Sequence, residues 1–293
     1  MAENLSSIRT ADGRTLEYLQ FGPVDGPVVL FHLGTPNAAA EYSVVTDAAD
    51  ALGLRLISYS RPGYGESTER PGRRVADAIG DVTELLDQLG VAEFRAFGWS
   101  GGGPHALACA ALLPQRCRAA ALLAGVAPYP ARGLDFLAGM GPENVEEFGA
   151  ALAGIEPLTD YLEPLLEHFG QLTGDTVADG LDGILSGVDR AALTGRFAEQ
   201  TAVAMRRAVA HGIAGWRDDD LAFVQDWGFD PAEVRVPVAI WQGGQDRMVP
   251  FAHGQWLAAE IPTARAHLYA DEGHLSLIMQ AERILTDLLR LAE

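Results

Sequence analysis

The chain has 293 residues, of which 48% are apolar, and this is enough to fill the core of one large α/β domain or of two small ones. Its 40 acidic and 21 basic residues give a formal net charge of −19, which would repel both nucleic acid and the anionic face of a membrane. Every basic residue is an arginine, which excludes reactions that need a lysine, such as Schiff-base formation or the phosphate-binding loop of a nucleoside triphosphatase.

Strand and helix patterns alternate over residues 1–126. The segment 14–22 is typical of an antiparallel edge strand. Buried parallel strands are indicated by four apolar runs that end in Gly, Pro or Ser, at 27–33, 54–60, 94–99 and 118–126. Amphipathic helical patterns lie between them and end at Gly53 and Gly90. The alternation predicts an α/β fold with a mostly parallel, doubly wound sheet and right-handed crossovers.

A long helical insertion follows the run at 118–126, which we expect to be the sixth strand of the sheet. From residue 127 to residue 236 the sequence contains amphipathic helical pieces and glycines, with no convincing strand. Strand patterns return at 237–244 and 264–270, and an amphipathic helix ends the chain. We therefore predict a core made of residues 1–126 and 237–293, interrupted by a helical cap at 127–236.

The cysteines and the amino-terminal sequence bear on the cellular compartment. Cys109 and Cys117 fit neither a zinc cluster nor a disulfide framework, so we expect reduced core residues. The first 22 residues contain neither a basic leader nor an apolar run of signal-peptide length, and no uninterrupted apolar stretch could span a membrane. We expect a cytoplasmic protein that binds a small molecule, with no nucleic-acid or membrane partner. The oligomeric state stays open, with a homodimer as one alternative.

Ser100 is the candidate nucleophile. It lies in Gly98-Trp99-Ser100-Gly101-Gly102, which fits the Gly-x-Ser-x-Gly pattern of a nucleophile elbow, between a predicted strand and a predicted helix. At such an elbow one residue turns in a sparsely populated backbone conformation. The small residues at 98 and 102 would let the flanking backbones pack closely enough for that turn. The motif alone is weak evidence, so the prediction depends on partners elsewhere in the chain.

A serine hydroxyl needs a base, and the base needs a carboxylate to orient it. Asp246 follows the strand at 237–244 and His274 follows the last strand, so both would lie at the carboxyl edge of the sheet. Taken singly, Asp246 could be a turn residue and His274 a capping residue. With Ser100 they occur in the order that the elbow fold requires, and we predict a catalytic triad. The remaining histidines show no pairing with carboxylates, so we predict no metal site, and no cofactor is expected.

The loop that begins at His32 is the candidate for the oxyanion hole. Two backbone amides would hold the negative charge of a tetrahedral intermediate: that of Gly101, and that of Thr35 or Gly34 in the loop. Which of the two loop amides takes part stays open. His32 would support the loop or line a substrate pocket together with Trp99, whose side chain could point into the sheet or towards the acyl site.

Five segments together resemble the α/β-hydrolase superfamily, in the broad group of serine hydrolases with a helical cap that includes esterases and proline iminopeptidases. The resemblance covers nearly the whole chain apart from the cap and rests on HLGTP (32–36), SRPGYGES (60–67), GWSGGG (98–103), GGQDRMVP (243–250) and EGH (272–274). It implies that 60–67 form a tight turn beside the active site. The chain departs from the family's usual His-Gly-x-Pro loop and from the iminopeptidase motif Gly-Gly-Ser-Trp-Gly. The serine nucleophile sets aside dehalogenase and epoxide hydrolase activities, which use an aspartate in this family.

These observations predict a serine hydrolase that cleaves an ester or related acyl bond of a small, largely apolar substrate through an acyl-enzyme. An iminopeptidase or amidase, a lactonase and a carbon-carbon bond hydrolase are alternatives on the same triad, and a ligand-binding protein on this scaffold is an alternative of another class. The cap would cover the cleft above Ser100 and decide the substrate. Its apolar residues, among them Trp216, suggest an apolar pocket, although most of them must also pack helix against helix. Its glutamates at 143, 146, 147, 163 and 167 could recognise a substrate amine, but solvated helix faces explain them more simply, and we expect the latter.

Overall fold

The computed structural model describes residues 5–293. The amino-terminal segment in which we expect no export signal begins with residues 1–4, which lie outside the described residues. The described residues form one eight-stranded sheet from β1 (Ser6–Arg9), β2 (Thr15–Phe21), β3 (Val28–His32), β4 (Arg55–Tyr59), β5 (Phe94–Trp99), β6 (Cys117–Leu123), β7 (Val238–Gly243) and β8 (Ala264–Tyr269). The strand order is β1-β2-β4-β3-β5-β6-β7-β8. β1 and β2 pair antiparallel with their neighbours, and the other pairs are parallel.

The predicted α/β fold is confirmed, and each predicted strand is present within three residues of its expected limits. One detail of the prediction is wrong. β2 is antiparallel, as expected, but it is not the edge strand, because β1 pairs with its outer side. β1 is short, and only its residue Ile8 is buried, so it offers no apolar run that a sequence pattern could reveal.

Helices cover both faces of the sheet. On one face α1 and α12 pack against alternate strand residues such as Val29 and Phe31, and on the other face α2, α3 and α11 pack against neighbours such as Leu30. The alternation follows from the period of two in a strand. The helices are α1 (Ser43–Ala51), α2 (Ala78–Gln88), α3 (Gly102–Leu112), α4 (Pro142–Ala153), α5 (Ile155–Leu162), α6 (Leu166–Gly170), α7 (Val177–Gly180), α8 (Gly187–Ala192), α9 (Gly195–Ala208), α10 (Ala214–Phe223), α11 (Phe251–Glu260) and α12 (Ala281–Leu291).

The segment 127–236, called here the helical segment, contains α4 to α10, and the described part of the chain has no strand between β6 and β7. Hydrogen bonds join this helical segment to the core. For example, the backbone N–H of Ala38, in the loop after β3, donates to the carbonyl of Ala204 in α9 at 3.2 Å. No helix within residues 5–293 combines the length and the apolar character that a bilayer crossing requires.

The strand order reverses beside β3. The chain moves from β3 outward to β4 and then returns to β5 on the other side of β3, so His32 at the end of β3 pairs with Gly98 near the end of β5. The loops that leave these two strands therefore diverge at one point of the sheet edge. Ligands of open α/β sheets bind at such a switch point, outside the carboxyl ends of the strands.

Candidate active site

Ser100 occupies the sharp turn between β5 and α3. Its φ of 56° lies in the left-handed region, which a residue with a side chain seldom adopts. The turn is held by two backbone hydrogen bonds, one from the N–H of Ser100 to the carbonyl of Leu123 at 2.8 Å and one from the N–H of Gly103 to the carbonyl of Ser100 at 2.8 Å. The strain therefore has structural support, as expected for a residue whose side chain must stand clear of the sheet.

The glycines around Ser100 make this turn sterically feasible. A Cβ atom at Gly98 would collide with the carbonyl of Gly102, and one at Gly102 would collide with the carbonyl of His32. A Cβ at Gly103 would lie 2.8 Å from the Cα of Gly125. These positions accept only glycine because strand, turn and helix approach each other at backbone contact distance.

His274 and Asp246 form a buried hydrogen-bonded pair. His274 Nδ1 lies 2.8 Å from Asp246 Oδ2, and the side chains are 2% and 0% exposed. The other carboxylate oxygen of Asp246 accepts from the backbone N–H groups of Met248 at 2.9 Å and Val249 at 2.8 Å. Gln242 Nε2 also donates to Asp246 Oδ2, at 2.9 Å. Asp246 is thus fixed by the turn after β7, and it holds the imidazole in one orientation.

The charge of Asp246 also affects the basicity of His274. Burial favours the neutral imidazole, but the negative charge and hydrogen bond of Asp246, together with the charge of Asp189, outweigh burial and raise the histidine pKa above its ordinary value. The imidazolium that forms when His274 accepts a proton is therefore stabilised where it stands.

Ser100 and His274 line the same cavity, which has a volume of about 110 Å³. The loop after β3 reaches this cavity too: a Cβ atom at Gly34 would lie 3.2 Å from Ser100 Cβ and 3.6 Å from its Oγ. A Cβ at Gly101 would collide with the Thr35 hydroxyl. The predicted oxyanion residues Gly34, Thr35 and Gly101 therefore surround the serine, and Gly101 stands at the start of α3, where helix N–H groups have no partner within the helix.

The two residues predicted for the substrate pocket have different outcomes. Trp99 lines the cavity, with its ring centroid 6.1 Å from that of His274. His32 does not line it, and this prediction is wrong. His32 is completely buried, with Nδ1 3.4 Å from the Tyr59 hydroxyl and Nε2 3.6 Å from Cys109 Sγ. Its side chain belongs to the core because Tyr59 of β4 and Cys109 of α3 contact the imidazole ring.

The expectation that the remaining histidines lack carboxylate partners is also wrong. The Nε2 atom of His211 lies 3.0 Å from the carboxylate of Glu66, and that of His267 lies 3.0 Å from Asp287. The Nε2 atom of His105 lies 3.6 Å from Asp219. These partners come from distant parts of the chain, so a local pattern could not reveal them. Within residues 5–293 no group of three or more His, Cys, Asp or Glu side chains is arranged to hold a metal ion.

A family model described as the alpha/beta hydrolase fold matches residues 26–280. The chain belongs to the α/β-hydrolase family. The match runs from β3 to the helix turn before α12, and it therefore includes every residue that lines the cavity.

Curated relatives of this α/β-hydrolase have several activities. It is 30% identical to a non-heme chloroperoxidase of Streptomyces lividans, with 97% of this chain and 98% of the relative covered. It is 27% identical to the 2-hydroxy-6-oxononadienedioate/2-hydroxy-6-oxononatrienedioate hydrolase 2 of Pseudomonas putida, covering 94% and 91%. It is 26% identical to a bifunctional esterase/perhydrolase of Acinetobacter calcoaceticus, covering 96% and 97%. These matches cover 94–97% of the chain. Because the three relatives are named for different reactions, the reaction of this α/β-hydrolase must be inferred from its own site.

Sequence reasoning missed a buried ion cluster beneath the site of this α/β-hydrolase. Asp219 of α10 is completely buried and lies 2.5 Å from the Nη2 of Arg61 and 2.7 Å from the Nη2 of Arg73. It also accepts hydrogen bonds from the hydroxyls of Thr35 at 2.7 Å and Tyr64 at 2.9 Å. The cluster thereby joins the helical segment, the turn at 60–67 and the loop after β3. The run of three aspartates at 218–220 was the available signal, because such a run is unusual in a helix beside tryptophan and phenylalanine.

Arg61 is the link between this cluster and the loop backbone. Its guanidinium donates to the carbonyl oxygens of Leu33 at 2.5 Å and Gly34 at 2.9 Å. A carbonyl held by a cation on one side polarises the peptide unit whose N–H points the other way. The turn at 60–67 therefore contributes to the site by fixing the loop that surrounds Ser100.

The expectation of solvated glutamates fails at Glu147. Glu147 lines the cavity and accepts a hydrogen bond from Trp216 Nε1 at 2.7 Å. Its side chain is half-buried because α4 packs against α10. Trp216 lines the cavity as predicted, with its ring centroid 4.7 Å from that of Phe169.

Proposed function

We propose that this α/β-hydrolase is a serine hydrolase, which cleaves an ester or related acyl bond of a small, largely apolar substrate. The observation that carries the proposal is the common cavity of Ser100 and His274, with Asp246 hydrogen-bonded behind the histidine. A nucleophile, a base and an orienting carboxylate are the three parts that acyl transfer to serine requires. The small volume of the cavity supports a substrate of few heavy atoms.

The first half of the reaction forms an acyl-enzyme. Since Nδ1 of His274 is bonded to Asp246, Nε2 is the nitrogen that takes the proton of Ser100. The serine oxygen bonds to the acyl carbon, and the carbonyl oxygen becomes an oxyanion held by the N–H of Gly101 and an N–H of the loop at Gly34 or Thr35. When the intermediate collapses, the bond to the leaving group breaks, and the imidazolium gives its proton to the departing alcohol.

The second half releases the acid. Water enters, His274 takes one of its protons, and the hydroxide adds to the acyl carbon. Collapse of the second intermediate breaks the bond to Ser100, whose oxygen recovers the proton from the imidazolium. Asp246 keeps its charge throughout and stabilises the cation in both halves.

The helical segment acts as a cap in this proposal. Its residues Phe148, Phe169, Met205 and Trp216 form an apolar part of the wall of the cavity that Ser100 also lines. A dioate, such as the substrate named for the Pseudomonas putida relative, is disfavoured here because Glu147 and Asp220 line the same cavity and would repel its carboxylates.

Covalent labelling tests the nucleophile directly. We expect a fluorophosphonate probe to modify the purified protein at one site, and peptide mass spectrometry to place the adduct on Ser100. We also expect turnover of short-chain 4-nitrophenyl esters, measured by nitrophenolate release. An adduct on a different serine would contradict the assignment. Absence of both labelling and turnover, with a folded protein, would favour a ligand-binding role instead.

The pH dependence tests the base. His274 must be neutral to accept a proton, so activity should fall as pH drops through its pKa, which Asp246 holds above the ordinary value of about 6.5. We expect the acid limb of kcat/KM above pH 6.5. In the Asp246→Asn variant, burial acts without the compensating charge, so the residual activity should have its acid limb at lower pH. A profile that stays flat down to about pH 4 would contradict His274 as the base.

A further inference from the structure

Two carboxyl groups lie in the wall of the cavity that Ser100 and His274 share. Glu147 comes from α4 and Asp220 from α10, and both line the cavity. Asp220 is only 1% exposed. The reaction described above uses neither of them, although an ionised carboxylate is expensive to bury unless it is paired.

Asp220 lacks the partners that its neighbour Asp219 has. Asp219 has ion pairs with Arg61 and Arg73. By contrast, no N–H or hydroxyl group among residues 5–293 donates to either carboxylate oxygen of Asp220, whose one close polar partner is the carboxyl group of Glu147. Glu147 receives one hydrogen bond from Trp216. The structure thus supplies cations for one buried aspartate and leaves the next one facing the cavity.

The environment of the pair favours the arrival of a positive charge. Burial raises the pKa of both carboxyl groups, and for Asp220 the negative charges of Glu147 and then Asp219 raise it further, against the charge of Arg73. A cation bound between the two groups would remove this repulsion. Around them the cavity is lined by aromatic rings, which also attract cations, from Phe148, Phe169, Trp216 and Phe223.

On α10, Asp220 lies between two residues that contact the surroundings of Ser100. Asp219 accepts a hydrogen bond from the Thr35 hydroxyl, and a Cβ atom at Gly101 would lie 3.0 Å from Cζ of Phe223. Asp220 is within one helical turn of both contact residues of α10. A positive group bound there shares the cavity of about 110 Å³ with the carbon that Ser100 attacks, so a short acyl chain would join the two.

We propose that Glu147 and Asp220 bind a protonated amine of the substrate, so that the preferred substrates are small esters or amides with an ammonium group on a short acyl chain. This specificity rests on the proposed serine hydrolase function. It follows from an unpartnered carboxylate and an aromatic wall in the cavity of the nucleophile. The amine supplies the N–H donors that Asp220 lacks and a further one to Glu147, and the aromatic rings enclose it.

Pairs of isosteric methyl esters test the proposal by pH-stat titration of the acid released at pH 7. Methyl β-alaninate and methyl butanoate differ only in an ammonium against a methyl group, and methyl 4-aminobutanoate and methyl pentanoate form a longer pair. We expect wild-type kcat/KM to favour the amino ester of at least one pair by about tenfold or more. In Asp220→Asn and Glu147→Gln, that preference ratio should fall by about tenfold. Glu146→Gln, an exposed neighbour on α4, is the matched control and should keep the wild-type ratio.

The outcomes separate this inference from the proposed function. Turnover of the neutral esters without preference for the amino esters would overturn the amine site and leave the serine hydrolase intact, and it would mean that the two carboxyl groups share a proton as a self-contained pair. Turnover of neither set would count against the hydrolase itself. If the variants fail to fold, competitive inhibition of the wild type decides: propylammonium should inhibit more strongly than 1-butanol by about tenfold, and equal inhibition would refute the site.

Discussion

Replacing Ser100 with alanine is expected to lower kcat for ester hydrolysis by about 10⁴-fold or more, because the covalent step loses its nucleophile. His274→Ala should reduce kcat by a similar factor, and the double variant should be hardly worse than either single one, since serine and base act as a unit. Initial rates with a 4-nitrophenyl ester measure the effect. Fluorophosphonate labelling should disappear in Ser100→Ala.

The fold of these variants must be intact for the result to count. Ser100 has its φ in the left-handed region, and alanine has the same backbone cost there, so the melting temperature of Ser100→Ala should stay within a few degrees of the wild type. Ser7→Ala, an exposed serine of β1, is the matched control and should retain full activity. Retention of a substantial fraction of wild-type turnover by Ser100→Ala would refute the nucleophile.

The sequence predicts well those parts of the fold and of the candidate site that depend on local order. Buried strands are continuous apolar runs, and the elbow is a fixed spacing of small residues around Ser100. Asp246 and His274 were predictable because each follows a strand directly, and parallel strands bring their carboxyl ends to one edge.

The contacts that the sequence could not predict depend on packing between distant segments. His32 stands at the start of the loop after β3. Because strand residues point to alternate faces, its side chain points to the face of the sheet that α3 covers. Glu147 has the sequence context of a solvated helix residue, and only the packing of α4 against α10 makes it half-buried. The pairing of Arg61 with Asp219 joins residues 158 positions apart.

Removing the carboxylate of Asp219 is expected to destabilise the protein strongly. Arg61 and Arg73 are 2% and 3% exposed, and in Asp219→Ala they would remain buried with no counter-charge between them. Breaking a buried ion pair by removing one partner costs about 3–5 kcal/mol of the free energy of unfolding. Urea denaturation of both proteins measures the difference. The matched control is Asp87→Ala, which removes an ion pair with Arg116 in which the aspartate is 61% exposed. This control should change the free energy of unfolding by about 1 kcal/mol at most.

The stability difference between the wild type and Asp219→Ala should depend on pH. Burial alone would raise the pKa of Asp219, but Arg61 and Arg73 outweigh it and hold the pKa well below the ordinary value. A carboxyl group whose pKa is depressed by folding stabilises the protein above its unfolded-state pKa of about 3.9, and this contribution is lost only as pH falls through the folded-state value. The wild type should therefore exceed Asp219→Ala in stability at pH 5 to 7, with the difference shrinking towards acid pH.

The Asp219→Ala variant should also lose activity for a separate reason. At neutral pH and under conditions where the variant is folded, kcat should fall more than KM rises, because Arg61 then fixes the Gly34 carbonyl less firmly and the oxyanion amides lose their alignment. Equal denaturation midpoints for the variant and the wild type would show that the cluster does not stabilise the fold, and an unchanged kcat in the folded variant would show that it does not hold the loop.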